Sequence, residues 1–240
     1  MIKLVTLEFS KLKRSKILYI VIVTNFLFFL CAAAQGLKSN YTAERLMNET
    51  LAYGTFFIIP ALFSLLGSYM ISREHHDDTL KSLMMIPINT NNLIAAKLIA
   101  SLIIGILLCM FLFAFTLITE VAVHPSQITA MLIFIQLKSY ILQGLGCFIA
   151  VLPIISLMTT IKNGNWLSVI FAELYSFTGL IAASSKYRYI YPISAVFGFS
   201  GASKAKGTEY IVCCLSLFTS VLIAWIILKL TQNYRMERDV

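Results

Sequence analysis

The sequence predicts an all-α, polytopic membrane protein with six transmembrane helices. A short amphipathic helix precedes the first span, and a second sits in the loop between spans two and three. Three observations carry this. Of the 240 residues, 59% are hydrophobic and 12% charged, with a mean hydropathy of +0.84. A soluble domain of this length cannot clothe its surface with so few polar groups. Six apolar runs, about 17–36, 52–72, 97–118, 139–161, 164–183 and 210–230, reach the ~20 residues needed to cross a bilayer core. Finally, the charges gather at the ends of these runs, where headgroups receive them. The net charge of +8 therefore reads as membrane topology and not as a nucleic-acid surface.

Residues 1–16 place Ile2, Val5, Phe9 and Leu12 at helical spacing, with Thr6, Ser10, Lys13 and Arg14 largely off that stripe. This is an amphipathic helix suited to the plane of the interface, feeding the first span at an elbow. Within that span, Ala32, Ala33 and Ala34 imitate a cleavage site. The preceding apolar run exceeds the ~7–15 residues of a signal sequence, so the span is expected to be retained. Lys3, Lys11, Lys13, Arg14 and Lys16 then make the N-terminal side cytoplasmic, and six spans return the C-terminus to it. Arg73, Lys81, Lys97, Lys162, Lys229, Arg235 and Arg238 agree, whereas Lys38, Arg45, Lys138, Lys186, Arg188, Lys204 and Lys206 fall outside. The bias is real and imperfect.

Pro60 and Pro153 lie inside the second and fourth predicted spans and permit kinks there. Gln136 and Lys138 are costly in lipid, so 127–137 is expected at the outer interface, with the fourth helix starting near Ser139. Residues 184–209 are expected outside. They open on the aromatic and basic group 186–192, then continue as a small-residue apolar element too short to cross. The cysteines, Cys31, Cys109, Cys147, Cys213 and Cys214, fall in or beside apolar runs with no CxxC pair, as packing residues do. No soluble domain or internal repeat is visible.

Polar chemistry concentrates in the cytosolic loop 73–92. Leu80, Leu83 and Met84 give an i, i+3, i+4 apolar face, and Pro87 ends the helix that carries it. Just before it, Glu74, His75, His76 and Asp77 are potential metal ligands. Adjacent histidines on a helix point about 100° apart, and His124 is predicted across the membrane, so a solvated helix start outweighs a metal site. The chain contains no phosphate-cradling G-x-x-x-x-G-K-[ST], and H-E-x-x-H and G-x-S-x-G are absent as well. Gly144 and Gly146 form a lone GxG within a span, where they serve packing. Glu173 is the only acidic residue well inside a predicted span. A carboxylate there must face a cavity, pair or be protonated, so it marks a substrate path or a dimer interface, or else a satisfied contact with a neighbouring helix.

Together these features resemble the type-2 ABC transporter permeases. The likeness rests on the run 8–16 leading into a span, on Glu74, Thr79, Leu80, Lys81, Ser82, Leu83, Pro87 and Ile88 in the second loop, and on Lys97 opening the third span. The six-span plan with an apolar outer element before the last helix adds to it. The nearest likeness is to permeases of lantibiotic-immunity and bacitracin-type peptide exporters. Where many members have a glycine shortly after the glutamate, this chain has Asp77 and Asp78. The resemblance implies that the loop holds a coupling helix seated on a separate ABC ATPase, with Glu74, Thr79, Leu80, Lys81, Leu83, Met84 and Pro87 forming or framing the contact. It also implies that ATP and Mg²⁺ bind that ATPase and not this chain, and that a second permease copy, identical or paralogous, completes the path. The expected protein is a multi-pass bacterial plasma-membrane permease exporting an antimicrobial or other amphipathic peptide from the lipid. A drug, lipid or glycan cargo is the alternative within transport. A membrane enzyme or sensor using His75, His76 and Asp77 is the alternative outside it.

Overall fold

The computed structural model describes residues 1–13, 15–38, 42–76, 90–158, 161, 164–203 and 205–238, with the backbone alone at 74–76, 90, 91 and 232–238. The described residues form helices α1 (Ile2–Leu12), α2 (Lys16–Lys38), α3 (Ala43–Tyr53), α4 (Ile59–His76) and α5 (Thr90–Val123). They are followed by α6 (Ala130–Met158), α7 (Gly164–Ala183), α8 (Pro192–Ser200) and α9 (Thr208–Arg238). Among the described residues, six helical stretches are long and apolar enough to cross a bilayer, with α3 and α4 joined as one. In hydrocarbon only such internally bonded backbone is tolerated.

The join between α3 and α4 is a π-helical turn, Gly54–Ile58, closed by the Ile59 N–H donating to Gly54 O five residues back. Pro60 follows at once. A proline ring clashes with the carbonyl four residues earlier and offers no N–H, and the wider turn makes room for it. Pro153 lies inside α6 without ending it.

The core is built on α4 and α6. Phe63, Phe148, Val151 and Ile155 are buried there, with Ala172 of α7, Val196 of α8 and Leu217 of α9 packed around them. The two glycines of the lone GxG explain how α6 is gripped from two sides. A Cβ on Gly144 would lie 2.8 Å from Cys109 Sγ of α5, and one on Gly146 would lie 2.8 Å from Val196 of α8. Residues two apart on a helix point in nearly opposite directions, so each glycine lets a different neighbour approach.

Serines join α4 to α7. Ser64, Ser68 and Ser72 recur every four residues on one face of α4. Ser64 Oγ donates to Ser168 O at 2.8 Å, Ser68 and Ser168 share a hydroxyl contact at 2.8 Å, and Ser72 Oγ donates to Asn165 Oδ1 at 2.5 Å. Short polar side chains permit close helix approach in lipid and bond across it.

Several helix limits differ from the sequence expectation. The second span is preceded by α3, so helix begins at Ala43 and not near residue 52. Helix α5 runs from Thr90 to Val123, beyond the expected 97–118. At 34 residues it is about 51 Å long, against a hydrocarbon core of ~30 Å, so its ends project past the apolar run that betrays it. Helix α6 starts at Ala130, not near Ser139, and 130–137 is helical. The apolar outer element is the nine-residue helix α8. It starts on Pro192 and is stopped by Gly201 in the left-handed region at φ 81°, the usual C-terminal role of glycine.

Candidate functional site

The expected partner-contact residues lie mostly outside the described residues: Thr79, Leu80, Lys81, Leu83, Met84, Pro87 and Asp77 all do so, and Glu74, His75 and His76 are described in backbone only, in the last turn of α4. The root of that loop is well defined. Ser15 caps α2 by accepting from Ile17 N–H at 3.2 Å and donates to Tyr69 Oη at 3.0 Å. Arg73 donates from Nη1 to the Lys11 carbonyl in the last turn of α1 at 3.0 Å, and its guanidinium lies 5.9 Å from the Tyr69 ring centre. Both bonds satisfy helix ends, the N-terminus of α2 and the C-terminus of α1. With Ser72 held by Asn165, the end of α4 is tied to the elbow on one side and to the start of α7 on the other.

The predicted stripe on α1 points at protein. Leu12 is buried, and Val5 and Phe9 pack with it against Leu62, Leu66 and Met70 of α4 and Ala100, Ile104 and Leu108 of α5. Ile2, by contrast, is 85% exposed. Lys97, expected to open the third span, is buried within α5.

On the opposite face, α6 carries a polar seam that sequence reasoning missed. Gln136, Tyr140 and Gln143 sit at i, i+4 and i+7, all buried. Gln136 Nε2 donates to Asn48 Oδ1 at 2.9 Å, Tyr140 Oη to Met47 O at 3.0 Å, and Gln143 Nε2 to Thr55 Oγ1 at 2.7 Å. Ser200 of α8 donates in turn to Gln143 Oε1 at 2.9 Å. Thus Gln136 does not end the helix: its Nε2 bonds to α3, its Oε1 is buried without a hydrogen-bond partner among the described residues, and Lys138 faces outward. The signal was present as polar residues at helical spacing, but their partners lie far away in the chain. Beside the seam a cavity of about 530 Å³ is lined by Glu44, Arg45, Asn48 and Glu49 of α3 together with Arg188 and Phe197. Next to it, Tyr191 donates to Tyr175 O at 2.8 Å and also meets the Thr178 hydroxyl. Burial pushes the Tyr191 phenol up from its ordinary value, so it remains a neutral donor.

Glu173 is half-buried on α7, within an outward apolar face of Ile170, Leu174, Phe177 and Ile181. Among the described residues it makes no hydrogen bond or ion pair. A second carboxylate lies near the end of a long helix, beyond the expected span 97–118. Glu120 of α5 is 1% exposed and meets His124 Nδ1 at 2.9 Å. It escaped notice because the apolar run ends before it while the helix continues.

The profile of ABC-2 family transporter proteins matches residues 4–179, which span α1 to most of α7. The chain belongs to the ABC-2 transporter family. It is a multi-pass membrane permease, and membership implies an ABC ATPase partner. The permease is also 27% identical to the bacitracin transport permease protein BCRB of Bacillus licheniformis, over 150 residues covering 62% of this chain and 72% of that relative.

Proposed function

We propose that this permease is the membrane subunit of an ATP-driven exporter that expels an antimicrobial or other amphipathic peptide and so protects its own cell. The observation that carries the proposal is the double tie at the end of α4. Whatever moves the loop after His76 must also move Tyr69, Ser72 and Arg73, and with them the elbow of α1 and α2 and the start of α7. A coupling helix at 80–87 resting on the ATPase would feed its stroke into that root. ATP and Mg²⁺ would be held by the ATPase, and the chemistry they supply there is phosphoryl transfer. This chain contributes the lever and the path. The basic residues at the N-terminal face support placing both termini in the cytoplasm. The likeness to a bacitracin permease supports a peptide cargo.

Glu173 completes the reading. A carboxylate on an outward apolar helix face is expensive in lipid, and a second permease copy, identical or paralogous, would cover that face and leave Glu173 beside the path between them. Co-purification tests the coupling. Deleting 80–87 is expected to abolish recovery of the ATPase with the tagged permease while leaving the permease in the membrane, and unchanged recovery would overturn the assignment. Cargo is tested by growth under a panel of peptide, drug and lipid-directed antibiotics, with and without the intact complex. Protection confined to non-peptide compounds would move the reading to the drug, lipid or glycan alternative. The enzyme or sensor reading built on His75, His76 and Asp77 has no support from the family.

A further inference from the structure

A second cavity, of about 460 Å³, opens on the N-terminal face in the angle between α1, α2 and α5. Leu12, Ile104 and Leu108 form its buried floor, and Leu107 stands exposed at its rim. Along α5 the lining runs from Ile104 to Phe111, roughly 10 Å of groove at helical rise. Its size falls among those of single small-ligand sites, but its lining is that of an apolar trough between helices.

Among the described residues its polar lining is Ser10 and Lys13. The Ser10 hydroxyl is committed to the Thr6 carbonyl at 3.0 Å. Lys13 has no carboxylate within reach among the described residues, whereas Lys11 beside it pairs with Glu8 at 3.4 Å. Among the described residues the trough therefore presents an uncompensated cation at one end and apolar surface along the rest. The ligand that matches is an anion on a long apolar tail.

We propose that this groove binds one anionic phospholipid of the adjoining leaflet, with an acyl chain along Leu12, Ile104 and Leu108 and the headgroup phosphate on Lys13. Charge decides against a second copy of the chain as the occupant. The chain carries a net +8, and a copy presenting its own basic elbow would bring like charge to Lys13. A cytoplasmic leaflet, by contrast, is anionic. The bound lipid would fill the wedge between elbow and α5, and so hold the lever described above. The assignment rests on the cytoplasmic placement of this face, but binding in detergent does not depend on orientation, on an ATPase or on cargo, so the two readings fail separately.

The experiment is native mass spectrometry of the purified full chain, delipidated and titrated with phosphatidylglycerol or phosphatidylcholine of matched acyl chains. One phosphatidylglycerol per chain is expected, retained about five-fold better than phosphatidylcholine, the factor expected of one lysine at an anionic surface. Lys13→Gln should bring the two lipids to parity and Lys13→Arg should keep the preference. Leu107→Trp, which adds bulk at the exposed rim where the fold tolerates it, should weaken both lipids. Equal retention of the two lipids by the native chain, or an unchanged preference in Lys13→Gln, overturns the proposal. So does a dimer that retains no lipid and that Leu107→Trp dissociates, or retention of the amphipathic peptide melittin in place of either lipid.

Discussion

Replacing Gln143 separates the two ways in which the polar seam can hold the bundle together. Its side chain is fully buried and bonds in two directions, to Thr55 in the π-helical turn and to Ser200 in α8. Gln143→Leu keeps most of the volume and removes both bonds. Neither partner is orphaned, because Thr55 also donates to Leu51 O at 2.8 Å and Ser200 to Phe197 O at 3.3 Å. Side-chain hydrogen bonds between membrane helices average about 0.6 kcal/mol and reach about 1.7, so two of them predict a loss near 1 kcal/mol with a ceiling near 3. Gln143→Ala loses the same bonds and leaves a cavity as well, and truncating a long buried side chain to alanine costs about 2–5 kcal/mol. The assay is unfolding of the purified permease by titration with SDS in mixed micelles, followed by circular dichroism. Alanine is expected to be worse than leucine by 2 kcal/mol or more, on the scale of such truncations. If leucine is as damaging as alanine, bonding and not packing holds the seam. If leucine is neutral or stabilising, the seam contributes no net stability and its retention has another cause.

Three further outcomes follow from the geometry. Arg73→Ala removes the cap on the Lys11 carbonyl and should cost about 1 kcal/mol or less at this partly exposed site. Its larger effect should be functional: the ATPase still co-purifies while peptide resistance falls, and Arg73→Lys restores part of it; unaltered resistance would remove Arg73 from the lever. Glu173→Gln should leave membrane abundance at or above the native level, since a charge leaves an apolar face, yet lower resistance several-fold, and native resistance would deny Glu173 any place on the path or interface. His124→Ala strands the buried Glu120 carboxylate and should destabilise by about 1–3 kcal/mol, more than Glu120→Gln, which keeps a bond to His124. The reverse order in thermal scans would show that the pair is not the support of that helix end.

By itself the sequence determined the solvent of this protein and the elements that meet it. Membrane class, six crossing helices and the helical stripe of Val5, Phe9 and Leu12 follow from how many apolar residues occur in a row and at what spacing. Those are local quantities, and the bilayer thickness converts them directly into structure. Its motifs in the loop after the second span also pointed to the ABC-2 permeases. Tertiary structure decided where helices end and which polar groups matter. Gln136 looked like a helix boundary because alone in lipid it would be one. Asn48, 88 positions away, supplies a hydrogen bond that offsets part of its desolvation, and no local window contains both residues. Burial is likewise set by the packed bundle: Glu120, whose partner His124 is only four residues away, is 1% exposed, while Glu173 is half-buried. Hydropathy reports what a residue costs in lipid, whereas only the packed bundle reveals whether a partner from another helix meets that cost.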